Sequence, residues 1–232
     1  MVTIKNYVKK TIFYRYFLLL RKFLRLFYSE KSRNRFFWNL RKGDKKLSLD
    51  YPLNENSLAF VVGAYKGDYV SKLYTKFKCK IYCFEPIKEY YEFLQNKFQK
   101  EKKINVYPYG LSDKDEQVKF AKLGESSNPF ETAKKYELVN LKSFKSFKDS
   151  NQFLTIDLIY MNIEGGEYSF LDFLIDKEYI LNINHLQIQF HKITKDSIQH
   201  RRNIRKRLQE SHKCIFNFPF IWERWDLKKL VN

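Results

Sequence analysis

The feature that most constrains this chain is an alternation that begins near residue 58, where short apolar runs are followed by stretches with helical spacing. The predicted strands are 58–62, 80–84, 104–109, 117–122, 158–163 and 185–191. The predicted helices are 68–77, 87–99, 168–174 and 195–211, with mixed signals over 131–148 and an aromatic-rich hairpin over 214–225. Strands that alternate with helices predict an α/β fold, in which helices cover both faces of a mostly parallel sheet.

Length and composition indicate one such domain with an appendage. The chain has 232 residues, and 44% of them are apolar, which is enough for a sizeable core. Seven glycines and five prolines are too few for a turn-rich all-β fold. We therefore divide the chain into a basic helical arm with a connector, residues 1–46, and a folded domain, residues 47–232.

The charge is concentrated in the arm. The whole chain carries +18, and residues 1–46 hold 14 Lys and Arg against Glu30 and Asp44, a net charge of +12. A second basic cluster lies in residues 191–213. Such patches favour polyanionic partners, namely anionic lipid, nucleic acid or acidic glycans.

Residues 12–28 have the pattern of a basic amphipathic helix, and residues 29–56 have the polar character of a connector. At 100° per residue, one face of the helix gathers Phe13, Tyr16, Phe17, Leu20, Phe23, Leu24 and Phe27. Such a helix could lie in a membrane interface or pack its apolar face on the domain, and the sequence favours neither. An anionic membrane surface bound through residues 1–30 is therefore one predicted partner.

Other sequence signals bear on location and metal binding. The three cysteines, Cys79, Cys83 and Cys214, form no C-x-x-C pair, which predicts buried thiols in a reducing compartment. No apolar run reaches the roughly 18 residues that a membrane span needs. The four histidines show no metal-binding spacing, so no metal site is predicted. These signals predict a cytoplasmic protein, with a possible peripheral position at the inner face of a membrane.

Candidate ligand-binding residues follow the strands, because ligands of open α/β sheets lie beyond the carboxyl ends of the strands. Gly63 and Gly67 come after the first strand, where glycines allow close backbone approach and the next helix presents its positive end. Glu85 ends the second strand, 22 residues beyond Gly63, a separation that suits hydrogen bonds to a ribose diol.

The segments that follow the strands also resemble a known family. The stretches FVVGAYKGDY, IYCFEPIKEYYEFLQN, YGLSDKDEQVKF, IDLIYMNIEGGEYSFL and INHLQIQFH, in this order, are similar to the FkbM family of S-adenosylmethionine-dependent methyltransferases. The resemblance covers residues 45–225. It implies a Rossmann-like methyltransferase fold with one antiparallel strand near the end of the sheet, S-adenosylmethionine as methyl donor, and transfer to oxygen on sugars or secondary metabolites.

The resemblance also implies roles for residues at the strand ends. The turn from Gly63 to Gly67, with Ala64 and Tyr65, would cradle the methionine part of the cofactor. Glu85, followed by Pro86, would hold the ribose. Further along, Ser112 and Asp113 would border the adenine, and Asn162 would face the cofactor's ammonium group.

Two positions depart from the family pattern. The family usually has an acid at the position of Val61 and often another at Asn162, where it would accept hydrogen bonds from the ammonium group. Valine cannot accept a hydrogen bond, and asparagine accepts only as a neutral amide. Each lost charge-assisted bond would weaken cofactor binding by about 1–3 kcal/mol.

Three residues are candidates for the base that removes a proton from an acceptor hydroxyl. Glu164 is the first, because it follows the fourth long strand and would face the cofactor, and Glu167 and His191 come next. Each also has a purely structural interpretation. Glu167 could complement the dipole of a helix, and His191 could simply end a strand.

We therefore predict an O-methyltransferase that acts on a sugar or glycan precursor. One alternative is a nucleic-acid methyltransferase, which the +18 charge and 18% aromatic content motivate, although most of the excess charge lies in the arm. The other is a non-catalytic binding protein on a methyltransferase scaffold, which Val61 and Asn162 motivate.

Overall fold

The computed structural model describes residues 14–18, 20, 21, 24, 29–122 and 135–230. The strands are β1 (Leu58–Val62), β2 (Lys80–Phe84), β3 (Ile104–Tyr107), β4 (Gly110–Ser112), β5 (Glu116–Lys122), β6 (Lys135–Ser143), β7 (Ile156–Met161), β8 (Ile183–Ile188), β9 (His212–Phe218) and β10 (Trp222–Leu227). The helices are α1 (Glu30–Leu40), α2 (Asp68–Phe77), α3 (Lys88–Phe98), α4 (Phe144–Asn151), α5 (Glu167–Asp176) and α6 (Ser197–Ser211). Short 3-10 turns lie at Leu47–Leu49, Tyr179–Asn182 and Lys228–Leu230.

Seven strands form the central sheet in the order β3-β2-β1-β7-β8-β10-β9. The pairs from β3 to β8 are parallel, and β10 is antiparallel to both of its neighbours. The chain starts at the centre of the sheet, moves to one edge and then crosses to the other side of β1. This confirms the predicted α/β architecture, including the single antiparallel strand near the end of the sheet.

Alternation along β1 shows why both faces of the sheet must be covered. Phe60 and Val62 are buried in one core, and Ala59 and Val61 are buried in a second core that includes residues of α2. A strand that is apolar on both faces loses about 1.5–3 kcal/mol for each large side chain left in water. Helices on both sides of β1 remove that cost.

The strand predicted over 104–109 ends early, and a second sheet with the strand order β4-β6-β5 begins just after it. β3 ends at Tyr107, and Pro108, which has no N–H for a ladder, begins a turn into β4. The mixed stretch 131–148, of which 131–134 lie outside the described residues, contains β6 and the start of α4. Phe147 of α4 packs edge-on against Phe84, with ring centroids 5.0 Å apart, and so ties this insertion to the main sheet.

The region predicted as a connector, 29–56, contains the helix α1, so that prediction was wrong. Ser29 accepts a hydrogen bond from the Ser32 amide at 3.2 Å and begins the helix. Trp38 is fully buried against Phe218 of β9, with ring centroids 5.4 Å apart, and this long-range contact stabilises a helix of polar sequence.

Several boundaries shift by a few residues. β8 ends at Ile188 instead of 191, and α6 begins at Ser197 instead of 195. The predicted hairpin at 214–225 is confirmed as β9 and β10, which extend further at both ends.

Part of the predicted arm helix over 12–28 lies outside the described residues. The described positions within it before Ser29, namely 14–18, 20, 21 and 24, are helical. The side chains of Tyr16, Phe17, Leu20 and Leu24 are exposed, and that of Leu18 is partly buried.

Candidate functional site

The carboxyl ends of β1, β2 and β7 meet at one edge of the sheet. Backbone hydrogen bonds continue the ladder past the strands there: the Gly63 amide donates to the Phe84 carbonyl at 3.0 Å, and the Asn162 amide donates to the Val62 carbonyl at 3.0 Å. The turns that follow the three strands are therefore held side by side, as the sequence predicted.

Gly63 and Gly67 occupy positions that exclude other residues. Gly63 has φ +83°, and a Cβ there would lie 2.1 Å from the Asn162 carbonyl oxygen. Gly67 has φ +73° and begins α2, and a Cβ there would lie 2.6 Å from Leu94. The turn between them is closed by a Gly67 amide bond to the Ala64 carbonyl at 2.9 Å. This tight turn presents backbone, rather than side chains, toward the neighbouring β7 turn.

Tyr65 lies at the tip of this turn in the left-handed region, at φ 48°. Its amide donates to a Glu85 carboxylate oxygen at 2.7 Å, which couples the turn after β1 to the end of β2. Its half-exposed ring meets Tyr90 of α3 edge-on, with centroids 4.5 Å apart. Sequence reasoning did not identify Tyr90, which lies five residues beyond Glu85.

Glu85 is buried and accepts hydrogen bonds from two backbone amides, those of Tyr65 and Ile87 at 2.7 and 3.0 Å. Burial raises the pKa of Glu85, and these two bonds partly offset the increase. A carboxylate has about four lone-pair positions, so two backbone donors leave it able to accept bonds from a ligand diol.

Two predicted cofactor-binding segments remain, namely Pro86, which directly follows Glu85, and the pair Ser112 and Asp113. Pro86 lies against Gly110, where a Cβ would be 3.7 Å from the proline ring. Ser112 and Asp113 lie at the far end of β4, where the Ser112 hydroxyl donates to the Asp113 carboxylate at 2.9 Å. The Asp113 carbonyl accepts a bond from the Ser143 hydroxyl at the end of β6, so these residues also belong to the second sheet.

The two departures from the family pattern have different surroundings. Val61 is buried in the apolar core beside α2. The side-chain oxygen of Asn162 is buried and has no hydrogen-bond partner among the described residues. An unsatisfied buried acceptor costs about 1–3 kcal/mol. The Asn162 oxygen therefore fits a ligand that brings an N–H donor, such as an ammonium group.

The three predicted catalytic residues come together around one imidazole ring. His191 Nδ1 lies 3.2 Å from the Glu167 carboxylate, and His191 Nε2 lies 3.4 Å from the Glu164 carboxylate. The Glu167 side chain is 0% exposed, whereas that of Glu164 is 52% exposed. The arrangement is a carboxylate–imidazole–carboxylate series that runs from the interior to the surface.

Glu167 is fixed by the backbone as well. It accepts hydrogen bonds from the amides of Gly165 and His191, at 2.8 and 2.5 Å. The Tyr168 hydroxyl donates to the His191 carbonyl at 2.7 Å and holds the same loop. The sequence signal for Glu167 was its place in the first turn of a helix, but its fully buried contact with His191 was not predicted.

The two carboxylates decide the charge on His191. Burial lowers the pKa of His191, but hydrogen bonds and charge from Glu164 and Glu167 outweigh burial and raise it to about 9. The same hydrogen bond lowers the pKa of Glu164, against the effect of its partial burial. At neutral pH the ring is therefore an imidazolium between two carboxylates, and Glu164 is the one of the two whose side chain is open to solvent.

Sequence reasoning missed a contribution from α1. The positive charge of Lys31 is close enough to help lower the pKa of Glu164. The sequence signal for this helix was Ser29 followed by Glu30, which is typical of a helix start. Because most of the apolar residues of α1 are exposed, their pattern did not indicate which face packs on the domain.

Two absences hold within the part of the chain that the structure describes. Its histidines, cysteines and carboxylates form no group of three or more that could hold a metal ion. None of its helices is both long enough and apolar enough to cross a membrane.

Comparison with known proteins agrees with this geometry. The family described as the methyltransferase FkbM domain matches residues 62–218, which contain most of the site. The sequence has no significant match among curated proteins.

Solved structures show similar folds. A putative rRNA methylase from Clostridium thermocellum aligns with a TM-score of 0.50 and 7% identity over 81% of this chain and 94% of its own. A putative methyltransferase from Streptococcus mutans, solved in complex with SAH, aligns with a TM-score of 0.46 and 12% identity over 75% of this chain and 90% of its own. At such identities the likeness concerns the fold alone.

Proposed function

Because this chain belongs to the FkbM family of S-adenosylmethionine-dependent methyltransferases, we propose that it transfers the methyl group to a hydroxyl oxygen of a sugar or glycan precursor. The observation that carries the choice of oxygen is the Glu164–His191–Glu167 series. It gives the carboxyl edge of the sheet a carboxylate that can take a hydroxyl proton.

The residues that would hold the cofactor surround the same edge. The turn from Gly63 to Gly67 offers backbone to the methionine part, and Glu85 offers its unused lone pairs to the ribose. The unsatisfied oxygen of Asn162 would accept from the ammonium group. Ser112 and Asp113, at the end of β4, border the adenine in this proposal. The bound cofactor supplies an electrophilic methyl group on a positively charged sulfur.

Glu164 is the residue that would receive the proton. A sugar hydroxyl is a weak nucleophile until its proton is removed, and a positioned base contributes about 10²–10⁴-fold to such a step. Glu164 is exposed enough to meet an acceptor and is oriented through His191. The two carboxylates raise the pKa of His191 to about 9, so the ring carries a proton at neutral pH, which favours Glu164 over His191 as the base.

The test combines substrate discovery with one substitution. Purified protein is incubated with labelled S-adenosylmethionine and with separate glycan, nucleotide-sugar and RNA fractions. We expect label in a glycan or nucleotide-sugar fraction, and we expect Glu164→Gln to reduce transfer by about 10²-fold or more without weakening cofactor binding. Label that enters only RNA would contradict the proposal.

A pH profile then separates the two candidate bases. If Glu164 is the base, kcat/KM is flat from neutral pH to about 8, because its lowered pKa lies far below that range. If His191 is the base, kcat/KM instead rises up to its pKa of about 9.

The alternative of a non-catalytic binding protein is favoured by one observation, the apolar burial of Val61 where the family usually has an acid. Calorimetry with S-adenosylmethionine distinguishes the two. Absence of both binding heat and thermal shift would support the non-catalytic scaffold, because the cofactor must bind before any transfer.

A further inference from the structure

The outer face of α1, formed by Phe36, Phe37 and Leu40, is apolar and exposed although the helix itself is firmly anchored. Trp38 is fully buried on the other side of the helix. Since successive residues of a helix turn by about 100°, Phe36 and Leu40 point almost directly away from Trp38. The structure thus holds three large apolar side chains in water, and one of them, Leu40, is 66% exposed.

The helical segment that precedes α1 repeats this feature. The side chains of Tyr16, Phe17, Leu20 and Leu24 are exposed there, whereas those of Tyr14 and Leu18 are partly buried. Seven exposed large apolar side chains thus lie within 25 positions of the chain. Exposed apolar patches of this kind mark interaction sites.

Charge identifies the kind of partner. Residues 1–46 carry a net charge of +12, so the part of the chain that holds these apolar side chains is also strongly basic. A bilayer that contains anionic lipid satisfies both properties at once, since apolar side chains enter the acyl boundary while Lys and Arg meet the headgroups. RNA would meet the charge, and its bases could stack on the four aromatic rings, but Leu20, Leu24 and Leu40 would stay in water because leucine neither stacks on bases nor hydrogen-bonds to them.

The position of α1 links this surface to the site. The Asn34 side chain donates to the Pro219 carbonyl at 3.1 Å, in the turn between β9 and β10. Because β10 is antiparallel to β8, this turn lies at the same edge of the sheet as the carboxyl ends of the parallel strands. Lys31, in the first turn of α1, is near enough to Glu164 to act on its charge. The anchored helix therefore borders the entrance of the candidate active site.

We propose that the outer face of α1 and the helical segment before it dock on an anionic lipid bilayer and hold the catalytic edge beside the headgroups. Resting on the proposed function, this names the acceptor class as a hydroxyl-bearing group carried on a membrane lipid. A soluble acceptor would need no such surface next to Glu164.

The full-length protein is tested by co-sedimentation with vesicles. We expect it to bind phosphatidylcholine vesicles that contain phosphatidylglycerol, to bind pure phosphatidylcholine much more weakly, and to lose affinity as salt concentration rises. The variant Phe36→Ser, Phe37→Ser, Leu40→Ser should bind the anionic vesicles about 30-fold more weakly, because it removes three apolar side chains from the interface.

The matched control removes three apolar side chains elsewhere that are more exposed still, in the variant Tyr136→Ser, Leu138→Ser, Leu154→Ser. It should bind vesicles as the unmodified protein does. Circular dichroism melts of both variants show that each is folded, since the substituted side chains are exposed in the native state.

Several outcomes would overturn the inference. These are no binding to anionic vesicles, equal losses in the two triple variants, binding to RNA in place of vesicles, or a stable dimer whose formation depends on Phe36, Phe37 and Leu40. The result is independent of catalysis. Vesicle binding without any methyl transfer would reject the proposed function and leave the docking surface in place, and transfer without vesicle binding would do the reverse.

Discussion

The candidate site has two halves: the proposed cofactor half around Glu85, and the proposed acceptor half formed by Glu164, His191 and Glu167. Each half stabilises its buried carboxylate in a different way. Glu85, on the cofactor half, is held by two backbone amides, and burial raises its pKa. Glu167, on the acceptor half, is held by two backbone amides and also touches a histidine. Under the proposed function, Glu85 accepts from neutral donors such as ribose hydroxyls. The acceptor half maintains a charged imidazolium between two carboxylates.

This difference shows where each half is sensitive. The cofactor half depends on backbone shape, because its geometry comes from glycine turns and amide bonds. The acceptor half depends on charge, because its side chains fix one another. Substitutions that change shape alone or charge alone should therefore separate the two halves.

The largest effect should come from shape, with Gly63→Ala. Its Cβ would meet the Asn162 carbonyl at 2.1 Å, and φ +83° is strained for alanine. Together these cost about 3–5 kcal/mol of stability, and we expect cofactor binding to be lost. Urea unfolding and calorimetry measure the two effects.

Gly166→Ala is the matched control for that substitution. Gly166 has an ordinary helical backbone, φ −72°, and its added Cβ would meet the end of the Ile163 side chain at 3.2 Å and the Ile163 carbonyl oxygen at an ordinary 3.5 Å. Its stability should change by less than about 1 kcal/mol. Equal losses in the two variants would show that the turn after β1 is not specially constrained.

The next effect comes from charge, with Glu167→Gln. The glutamine has the same shape, but its amide nitrogen would face a backbone N–H or the imidazolium inside a fully buried pocket. Breaking a buried charged contact in this way should cost about 3 kcal/mol in the free energy of unfolding. Glu164→Gln, at the exposed end of the same series, should cost less than about 1 kcal/mol. Equal costs for the two substitutions would contradict the difference in burial between Glu167 and Glu164.

The sequence predicted the central strands and the strand-end residues well, because both depend on local pattern and on a general rule of parallel sheets. β1, β2 and α2 have the predicted bounds, since each is an apolar run or a periodic stretch between clear boundary residues. The placement of Glu164 and His191 at one edge follows from the shared direction of β7 and β8.

What the sequence could not predict depends on long-range contacts. α1 is stabilised by Trp38 against Phe218, a contact that spans 180 residues and has no local signal. The second sheet depends on pairing between β4 and β6 across the stretch 123–134. The clamp of Glu167 on the His191 amide likewise depends on how the loop after β8 folds back.

The charge of the acceptor half also predicts a pH dependence. A folded pKa of about 9 against about 6.5 in the unfolded chain means that His191 stabilises the protein fully below pH 6.5. This stability is lost as pH rises from about 6.5 to 9, with a total of about 3–3.5 kcal/mol. Unfolding measured across that window should show the loss in the unmodified protein and not in His191→Gln. Parallel curves for the two proteins would mean that the imidazolium is absent.

The smallest effect tests the cofactor half with a change of charge and no change of shape, Asn162→Asp. The Asn162 oxygen has no partner in the described part of the chain and can accept a bond from an ammonium group only as a neutral amide, whereas a carboxylate there would make both partners of that bond charged. We expect S-adenosylmethionine to bind about 5- to 10-fold more tightly by calorimetry, roughly 1 kcal/mol. Desamino-S-adenosylhomocysteine, which lacks the ammonium group, is the control ligand and should gain nothing. An equal gain for both ligands would place the ammonium group away from Asn162, and the end of β7 would then serve the acceptor half alone.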